Sequence, residues 1–227
     1  MPDDKVFLIT GASTGIGAET ARQAAEAGYR LVLAARSEDK LQSLAGELPE
    51  AIAVRCDVTE WEDQQALVRR ALDEYGRIDV AFANAGFGGP RGFGEGDVEQ
   101  WKAMVLTNVY GAALTIRATR EALIETKGHL LLTGSVAGRR ALQGSLYSAT
   151  KWAVTGMGES ARQDFNDTGV RVTLIEPGMV DTPFFDSPPE IEALHAEDVA
   201  RAVIFAVSQP SRVDINEILI RPTDQPG

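Results

Sequence analysis

The sequence KVFLITGASTGIG, residues 5–17, places an apolar run directly before a turn that contains three glycines. The run at residues 5–10 predicts a buried strand, and residues 15–27 predict the helix that follows it. Glycines in such a turn allow a tight bend, close approach of a phosphate to the backbone, and close packing of helix on strand. The exposed N–H groups and the positive end of the helix attract anions. The stretch therefore predicts a phosphate-binding turn at Gly11, Ser13, Thr14, Gly15, Ile16 and Gly17.

Short apolar strands and helical segments alternate along the rest of the chain. Further strands are predicted at 30–35, 51–56, 78–83, 129–133, 171–176 and 215–220, and helices at 38–48, 60–75, 98–126, 145–166 and 196–208. Continuously apolar strands fit a parallel sheet that is covered on both faces, and the repeated strand–helix–strand order implies right-handed crossovers. The sequence thus predicts an α/β fold, a Rossmann-like doubly wound parallel sheet of seven strands with helices on both faces. No linker divides the chain, so residues 1–227 are expected to form one domain.

Composition excludes several classes of function. The 227 residues are 44% hydrophobic and 24% charged, which is typical of a globular protein, and no apolar run reaches the roughly 18 residues of a membrane span. The first residues lack the features of a secretory signal, so a cytoplasmic location and no membrane partner are expected. One cysteine and two histidines give neither an internal disulfide nor a metal cluster. The net charge of −11 argues against nucleic acid as a partner and requires local cations for any anionic cofactor.

Residues 11–15 also match a second motif. The pattern G-x-S-x-G is that of the nucleophile elbow of hydrolases, with Ser13 as nucleophile. Only ten residues precede it, Gly17 stays unexplained, and His129 lies at the start of a strand, the wrong end for a site. His195 would have to serve as the base. A serine hydrolase is therefore the less favoured alternative.

Three further residues indicate the chemistry, namely Ser135, Tyr147 and Lys151. Tyr147 and Lys151 are four residues apart on a predicted helix, so they share a face at about 5–6 Å between Cβ atoms. A lysine cation beside a phenol is expected to lower the pKa of the tyrosine from about 10 and to make it a general acid or base. Together with the glycine turn, this set indicates hydride transfer to a carbonyl or from an alcohol.

The end of the second strand predicts which nucleotide is preferred. NAD enzymes usually place an acid there to hold the ribose 2′-hydroxyl. This chain instead has Arg36, and a guanidinium can bind the oxygens of a 2′-phosphate in a bidentate manner. We therefore expect NADP(H) as the preferred cofactor, with NAD(H) as the alternative.

These motifs, in this order, resemble those of the short-chain dehydrogenases/reductases, in the single-domain branch that binds NAD(P)(H). The similarity spans nearly the whole chain, although Ala83 stands where an asparagine is frequent. Residues 213–223 more weakly resemble a subgroup of serine or 3-hydroxy acid dehydrogenases and clavulanate-type aldehyde reductases. Besides the glycine turn, the matching residues are Asp57, Val58, Asn84, Ala85, Gly86, Asn108, Ser135, Tyr147, Lys151, Pro177, Gly178, Val180 and Thr182.

The resemblance implies roles for these residues. Tyr147 would exchange the proton, Lys151 would also hold the nicotinamide ribose, Ser135 would bind the substrate oxygen, and Asn108 would position a water that relays protons. Asp57 and Val58 would contact the adenine, and Pro177, Gly178, Val180 and Thr182 the carboxamide. The implied function is NADP-dependent interconversion of a small carbonyl compound and its alcohol, by a homotetramer or homodimer. A non-catalytic dinucleotide sensor of the same fold is the main alternative.

Two loops are expected to frame the substrate, at residues 86–96 and 182–197, because both follow carboxyl ends of strands. Four phenylalanines are expected to form an apolar wall there: Phe87, Phe93, Phe184 and Phe185. Three arginines are candidate partners of a substrate carboxylate, with surface solvation as the alternative: Arg91, Arg139 and Arg140.

Overall fold

The computed structural model describes residues 4–94, 96–182 and 191–225 and contains one parallel seven-stranded sheet. Its strands are β1 (Val6–Thr10), β2 (Arg30–Ala35), β3 (Ala51–Arg55), β4 (Val80–Ala83), β5 (His129–Thr133), β6 (Arg171–Pro177) and β9 (Glu217–Ile220). Their order across the sheet is β3-β2-β1-β4-β5-β6-β9. The predicted seven-stranded doubly wound sheet is confirmed.

Helices cover both faces of this sheet. They are α1 (Gly15–Glu26), α2 (Glu38–Glu47), α3 (Trp61–Tyr75), α4 (Val98–Val105), α5 (Ala112–Thr126), α6 (Leu146–Asp164) and α7 (Ala196–Val207). Side chains of β1 alternate between two cores, because successive strand residues point to opposite faces. Val6 and Leu8 pack in the core formed with α3, α5 and α6, whereas Phe7 and Ile9 pack in the core formed with α1, α2 and α7.

Two features of the chain path were not predicted. The single helix expected over 98–126 is interrupted by a π-helical segment, Leu106–Gly111, between α4 and α5. A two-stranded pair, β7 (Val180–Asp181) and β8 (Leu194–His195), lies beside the main sheet. Two residues per strand are too few for an alternating pattern to be visible in a sequence.

The sheet has its topological switch point at β1, which pairs with β2 on one side and with β4 on the other. Crossovers leave β1 and β4 in opposite directions, so a crevice opens outside the carboxyl ends of these strands.

Among the helices of the described residues, none is long and apolar enough to cross a membrane.

Candidate active site

A cleft of about 790 Å³ opens at the carboxyl ends of the strands. This volume lies within the roughly 300–1,000 Å³ of ordinary ligand sites. Of the site residues predicted from the sequence, all except Gly17 and Asn108 line it. The cleft is also lined by residues outside that predicted set, among them Lys40, Gln100, Leu142, Met179 and Gln225.

The glycine turn after β1 has the backbone that its sequence requires. Gly11 and Gly15 adopt φ values of +64° and +55°, which side chains rarely permit. A Cβ at Gly11 would lie 2.8 Å from Cα of Ala85, and one at Gly15 would lie 3.3 Å from Thr182. No side chain of Gly11 or Gly15 therefore covers the main chain where the cleft meets the start of α1. Thr14, the N-cap residue of α1, makes no side-chain capping bond, so first-turn N–H groups remain available for an anion.

Gly17 has a different task from the other two glycines. A Cβ there would collide with the carbonyl oxygen of Gly11 and would lie 2.7 Å from Nδ2 of Asn84. Gly17 is not among the residues that line the cleft, and its missing side chain lets α1 pack on the turn.

Asn84 joins the ends of three strands. Its Nδ2 donates to the carbonyl oxygens of Thr10 and Gly11, at 3.0 and 3.3 Å, and its Oδ1 accepts from the Thr133 hydroxyl at 3.0 Å. Asn84 therefore fixes the relative position of β1, β4 and β5 where the cleft begins, besides lining the cleft itself.

Ser135, Tyr147 and Lys151 meet at the other end of the cleft. Ser135 follows β5, whereas Tyr147 and Lys151 lie one helical turn apart at the start of α6. Ser135 and Tyr147 are hydrogen-bonded through their side chains. Lys151 Nζ lies 5.6 Å from the centre of the Tyr147 ring and donates a hydrogen bond of 2.7 Å to the carbonyl oxygen of Thr133. The fold thus joins three side chains from two separate elements.

Burial determines the protonation of this group. It raises the pKa of Tyr147 to about 12, and the hydrogen bond with Ser135 only partly opposes the rise. Burial also lowers the pKa of Lys151 to about 8. The expectation that the lysine lowers the pKa of the phenol is therefore wrong for this structure, because removal from water raises that pKa and only the hydrogen bond with Ser135 opposes the rise.

Asn108 lies in the π-helical segment and is buried. Its Oδ1 accepts from the N–H of Phe87 at 3.0 Å, and its Nδ2 donates to the Phe87 carbonyl at 2.9 Å and to Oγ1 of Thr150 at 3.1 Å. A Cβ on Gly86 would lie 3.0 Å from the Asn108 oxygen and 3.7 Å from Nζ of Lys151. Asn108 therefore does not line the cleft: it anchors the loop after β4 beside Lys151. π-Helical segments often occur at functional sites.

Charge in the cleft is opposite to the charge of the chain. The described lining includes four cations, Arg36, Lys40, Arg91 and Lys151, and a single acid, Asp57. Lys40 was missed by sequence reasoning, although it lies in the first turn of the helix that begins two residues after Arg36. The local positive charge explains how a protein with a net charge of −11 can accept a polyanion.

The arginines assigned to the substrate differ in their contacts. Arg139 donates through Nε to the buried carboxylate of Glu176 at 2.8 Å and also pairs with Glu217, so it is not available to a substrate carboxylate. Arg91 lines the cleft, and no ion pair of Arg91 is found within residues 4–94, 96–182 and 191–225.

The loop at 86–96 is attached to the loop that precedes α6. The N–H of Gly92 donates to the carbonyl oxygen of Gly144 at 2.9 Å. Phe87 lines the cleft, as predicted, but Phe93 is 67% exposed and stacks edge-on against Trp101 instead. Phe184 and Phe185 lie outside the described residues, as do residues 183–190 of the second predicted loop.

The hydrolase alternative lacks its base. His195, its required partner, is the N-cap residue of α7, where its backbone N–H donates to Asp198 at 2.8 Å. His195 is not among the residues that line the cleft around Ser13.

No group of three or more potential metal ligands is found in the described part of the chain.

Comparison with known proteins agrees with this geometry. Residues 5–192 match the family model described as short chain dehydrogenase. The chain belongs to the short-chain dehydrogenase/reductase family. An uncharacterized oxidoreductase of Staphylococcus saprophyticus is 37% identical over 228 residues, which cover 96% of this chain and 97% of that one.

Solved structures of family members are also similar. An alcohol dehydrogenase from Thermococcus sibiricus, in complex with 5-hydroxy-NADP, superposes with a TM-score of 0.93 at 33% identity and 98% coverage of both chains. A serine dehydrogenase in complex with NADP⁺ gives 0.90 at 30% identity and covers 98% of this chain and 96% of that one. Another similar structure holds NAD. The protein is therefore an oxidoreductase of this family, and a nicotinamide dinucleotide is supported as its cofactor.

Proposed function

We propose that this short-chain dehydrogenase/reductase reduces the carbonyl group of a small molecule at the expense of NADPH, and catalyses the reverse oxidation of the alcohol. The observation that carries the proposal is the meeting of Ser135, Tyr147 and Lys151 at one end of a cleft whose other end is a bare glycine turn. A phosphate site and a proton donor in one cleft are the two parts that this chemistry requires.

The cleft suits a dinucleotide along its length. The turn at Gly11–Gly15 and the start of α1 would hold the pyrophosphate, Asp57 and Val58 would lie against the adenosine, and residues 177–182 would lie against the nicotinamide. When bound, the nicotinamide supplies or accepts the hydride. Lys151 would donate hydrogen bonds to the ribose of the nicotinamide half.

Tyr147 supplies the proton in the reduction. A phenol with a pKa of about 12 is protonated at neutral pH, which is the form that donates to a developing alkoxide. Ser135, hydrogen-bonded to the phenol, would bind the same substrate oxygen and fix its position. The C–O π bond breaks, the carbon gains the hydride, the oxygen gains the phenolic proton, and a phenolate remains until solvent reprotonates it. Buried Lys151 would stabilise that phenolate.

Preference for NADP(H) follows from the cations at the end of β2. Arg36 and Lys40 are exposed and line the cleft, Arg36 just before the start of α2 and Lys40 in its first turn. Neither side chain forms an ion pair with another of the described residues. They would bind the 2′-phosphate that distinguishes NADP(H) from NAD(H).

The substrate half of the cleft favours a small carbonyl compound that carries a carboxylate. Phe87 and Leu142 form an apolar wall of the cleft, and Arg91 is a cation on the same loop as Phe87. The residue after Arg91, Gly92, is held by its hydrogen bond to Gly144. A guanidinium on this wall would pair with a carboxylate of the substrate. An oxo acid or a hydroxy acid meets this requirement.

Exposed apolar side chains support a homo-oligomer. Val105, Leu106 and Tyr110 protrude from α4 and the π-helical segment, and Trp152, 49% exposed, protrudes from α6. Phe205 on α7 and Leu219 on β9 provide a second such surface. A tetramer would bury both surfaces of each subunit, whereas a dimer would bury one. Light scattering after gel filtration tests this: a monomer at micromolar concentration would contradict it.

Absorbance at the reduced nicotinamide band tests the function. NADPH and NADH are each offered with a panel of aldehydes, ketones and oxo acids. Oxidation of NADPH by at least one class of carbonyl compound is expected. Tight binding of nucleotide without turnover across the panel would instead favour the sensor, and labelling of Ser13 by an active-serine reagent would favour the hydrolase.

A further inference from the structure

The segment that follows β9 returns to the cleft and ends, within the described residues, at Gln225. The match to the family model ends at residue 192, before this segment. The main-chain N–H of Gln225 donates to the carbonyl oxygen of Pro222 at 3.1 Å, which closes a turn and directs the side chain back toward the end of β6.

The Gln225 side chain is bound to main chain that lines the cleft. Its Oε1 accepts a hydrogen bond of 2.9 Å from the N–H of Met179. A Cβ on Gly178 would collide with the same oxygen, so the contact also depends on the glycine that precedes Met179. Gln225, Gly178 and Met179 all line the cleft.

Residues 177–179 are held from several sides. The N–H of Gly178 donates to Ile220 at 2.7 Å, and the carbonyl oxygen of Met179 accepts from Leu194 at 3.0 Å. The hydroxyl of Ser135 donates to the carbonyl oxygen of Pro177 at 3.4 Å. The segment is therefore connected to the predicted catalytic serine at one end and to Gln225 at the other.

We propose that Gln225 is a positioning residue of the cofactor site, which holds residues 177–179 in the conformation that receives the nicotinamide half of the dinucleotide. This inference rests on the proposed function for the identity of the ligand. Gln225 acts through the Met179 N–H, because this backbone donor loses the acceptor that fixes its orientation when the amide oxygen is removed. The consequence is weaker nucleotide binding rather than a slower proton transfer.

The test is the Kd of NADPH, measured by fluorescence titration of the full-length protein without substrate. Gln225→Ala removes the acceptor and is expected to raise Kd about tenfold, which corresponds to about 1.4 kcal/mol. Gln225→Glu keeps an oxygen acceptor in the same place, and we expect its Kd to stay within about twofold of the wild type, since a carboxylate accepts from a main-chain N–H as an amide does.

A double-mutant cycle adds a second measurement. Gly178→Ala displaces the Gln225 amide, so it should weaken NADPH binding largely through the same contact as Gln225→Ala. The two losses of binding free energy should therefore be clearly non-additive in the combined variant. Gln209→Ala is the matched control, because Gln209 bonds the Phe205 carbonyl away from the cleft and should leave Kd unchanged. Equal melting temperatures of the Gln225 variants would exclude a general loss of folding.

Two outcomes overturn the inference alone: an unchanged Kd in Gln225→Ala, or a Gln225→Glu variant as weak as Gln225→Ala. A wild-type protein that binds neither NADPH nor NADH overturns the proposed function and, with it, this role of Gln225. Binding by the wild type without any turnover leaves the titration fully interpretable.

Discussion

The ammonium group of Lys151 donates a hydrogen bond of 2.7 Å to the carbonyl oxygen of Thr133, the last residue of β5. This contact joins α6 to the sheet inside the cleft and keeps the cation buried. Burial is what lowers the pKa of this lysine to about 8. The same burial keeps Tyr147 protonated at neutral pH.

The pH profile should follow Lys151 rather than Tyr147. Because the pKa of Lys151 lies at about 8, its charge is present below that pH and is lost above it. We expect kcat/KM for reduction to fall above about pH 8, since this parameter reports groups of the free enzyme. Lys151→Met should be slower and should lack this step. A fall that persists unchanged in Lys151→Met would contradict the assignment.

Removal of the phenol should separate chemistry from binding. Tyr147→Phe keeps the ring and loses the proton, so turnover should fall by about 10²–10⁴-fold, the usual contribution of a general acid. The Kd of NADPH, measured by fluorescence titration, should change little. Tyr110→Phe, at an exposed tyrosine of the π-helical segment, is the matched control and should be fully active. Turnover of Tyr147→Phe near that of the wild type would refute the role.

The cations at the end of β2 should select the nucleotide. Arg36→Gln and Lys40→Gln should each weaken binding of NADPH, and the double variant should weaken it more, by about 10–100-fold if each contact contributes about 1 kcal/mol or more. Binding of NADH, which lacks the 2′-phosphate, should be unaffected. Arg69→Gln, at an exposed position of α3, controls for the change in net charge. Equal losses for both nucleotides would show that the cations act nonspecifically.

Arg91 should distinguish acidic from neutral substrates. Arg91→Gln is expected to raise KM for an oxo acid about tenfold or more, because the carboxylate loses a charged partner, and to leave KM for a neutral aldehyde of similar size unchanged. Steady-state kinetics with the two substrates measure the difference. A parallel change for both would place Arg91 outside the recognition of the carboxylate.

His129 should make the fold sensitive to acid. Its Nε2 lies 2.7 Å from Oγ1 of Thr173, which itself donates to Ile215, and Nδ1 has no partner among the described residues. Burial, and to a lesser degree Arg171, lowers the pKa of His129 to about 3 from 6.5. The unfolded chain therefore binds more protons between these values, and stability falls as the pH decreases below 6.5, by about 1.4 kcal/mol per unit.

Urea unfolding at pH 6.5 and pH 5 measures this dependence. His129→Gln should lose about 2 kcal/mol less between the two pH values than the wild type does. His195→Gln, at an exposed histidine, should behave like the wild type. The same pH dependence in all three proteins would show that His129 does not titrate on unfolding.

The predicted helix over 98–126 contains a feature that the sequence did not predict. Its residues all favour a helix, and the structure agrees at both ends, yet Leu106–Gly111 is π-helical. The wider turn brings Asn108 to the main chain of Phe87 and to Thr150, which are distant in the sequence. A helix period read from one segment contains no information about such partners.

The sequence by itself determined the order of strands and helices, the glycine turn and the residues of the proposed reaction, because periodicity, glycine placement and motif spacing are local properties of the chain. Only the tertiary structure decided the protonation of Tyr147 and Lys151, the pairing of Arg139 with Glu176, and the contact of Gln225 with Met179. These depend on burial and on contacts between distant segments, and water is excluded from a side chain only when the whole sheet and its helices have closed around it.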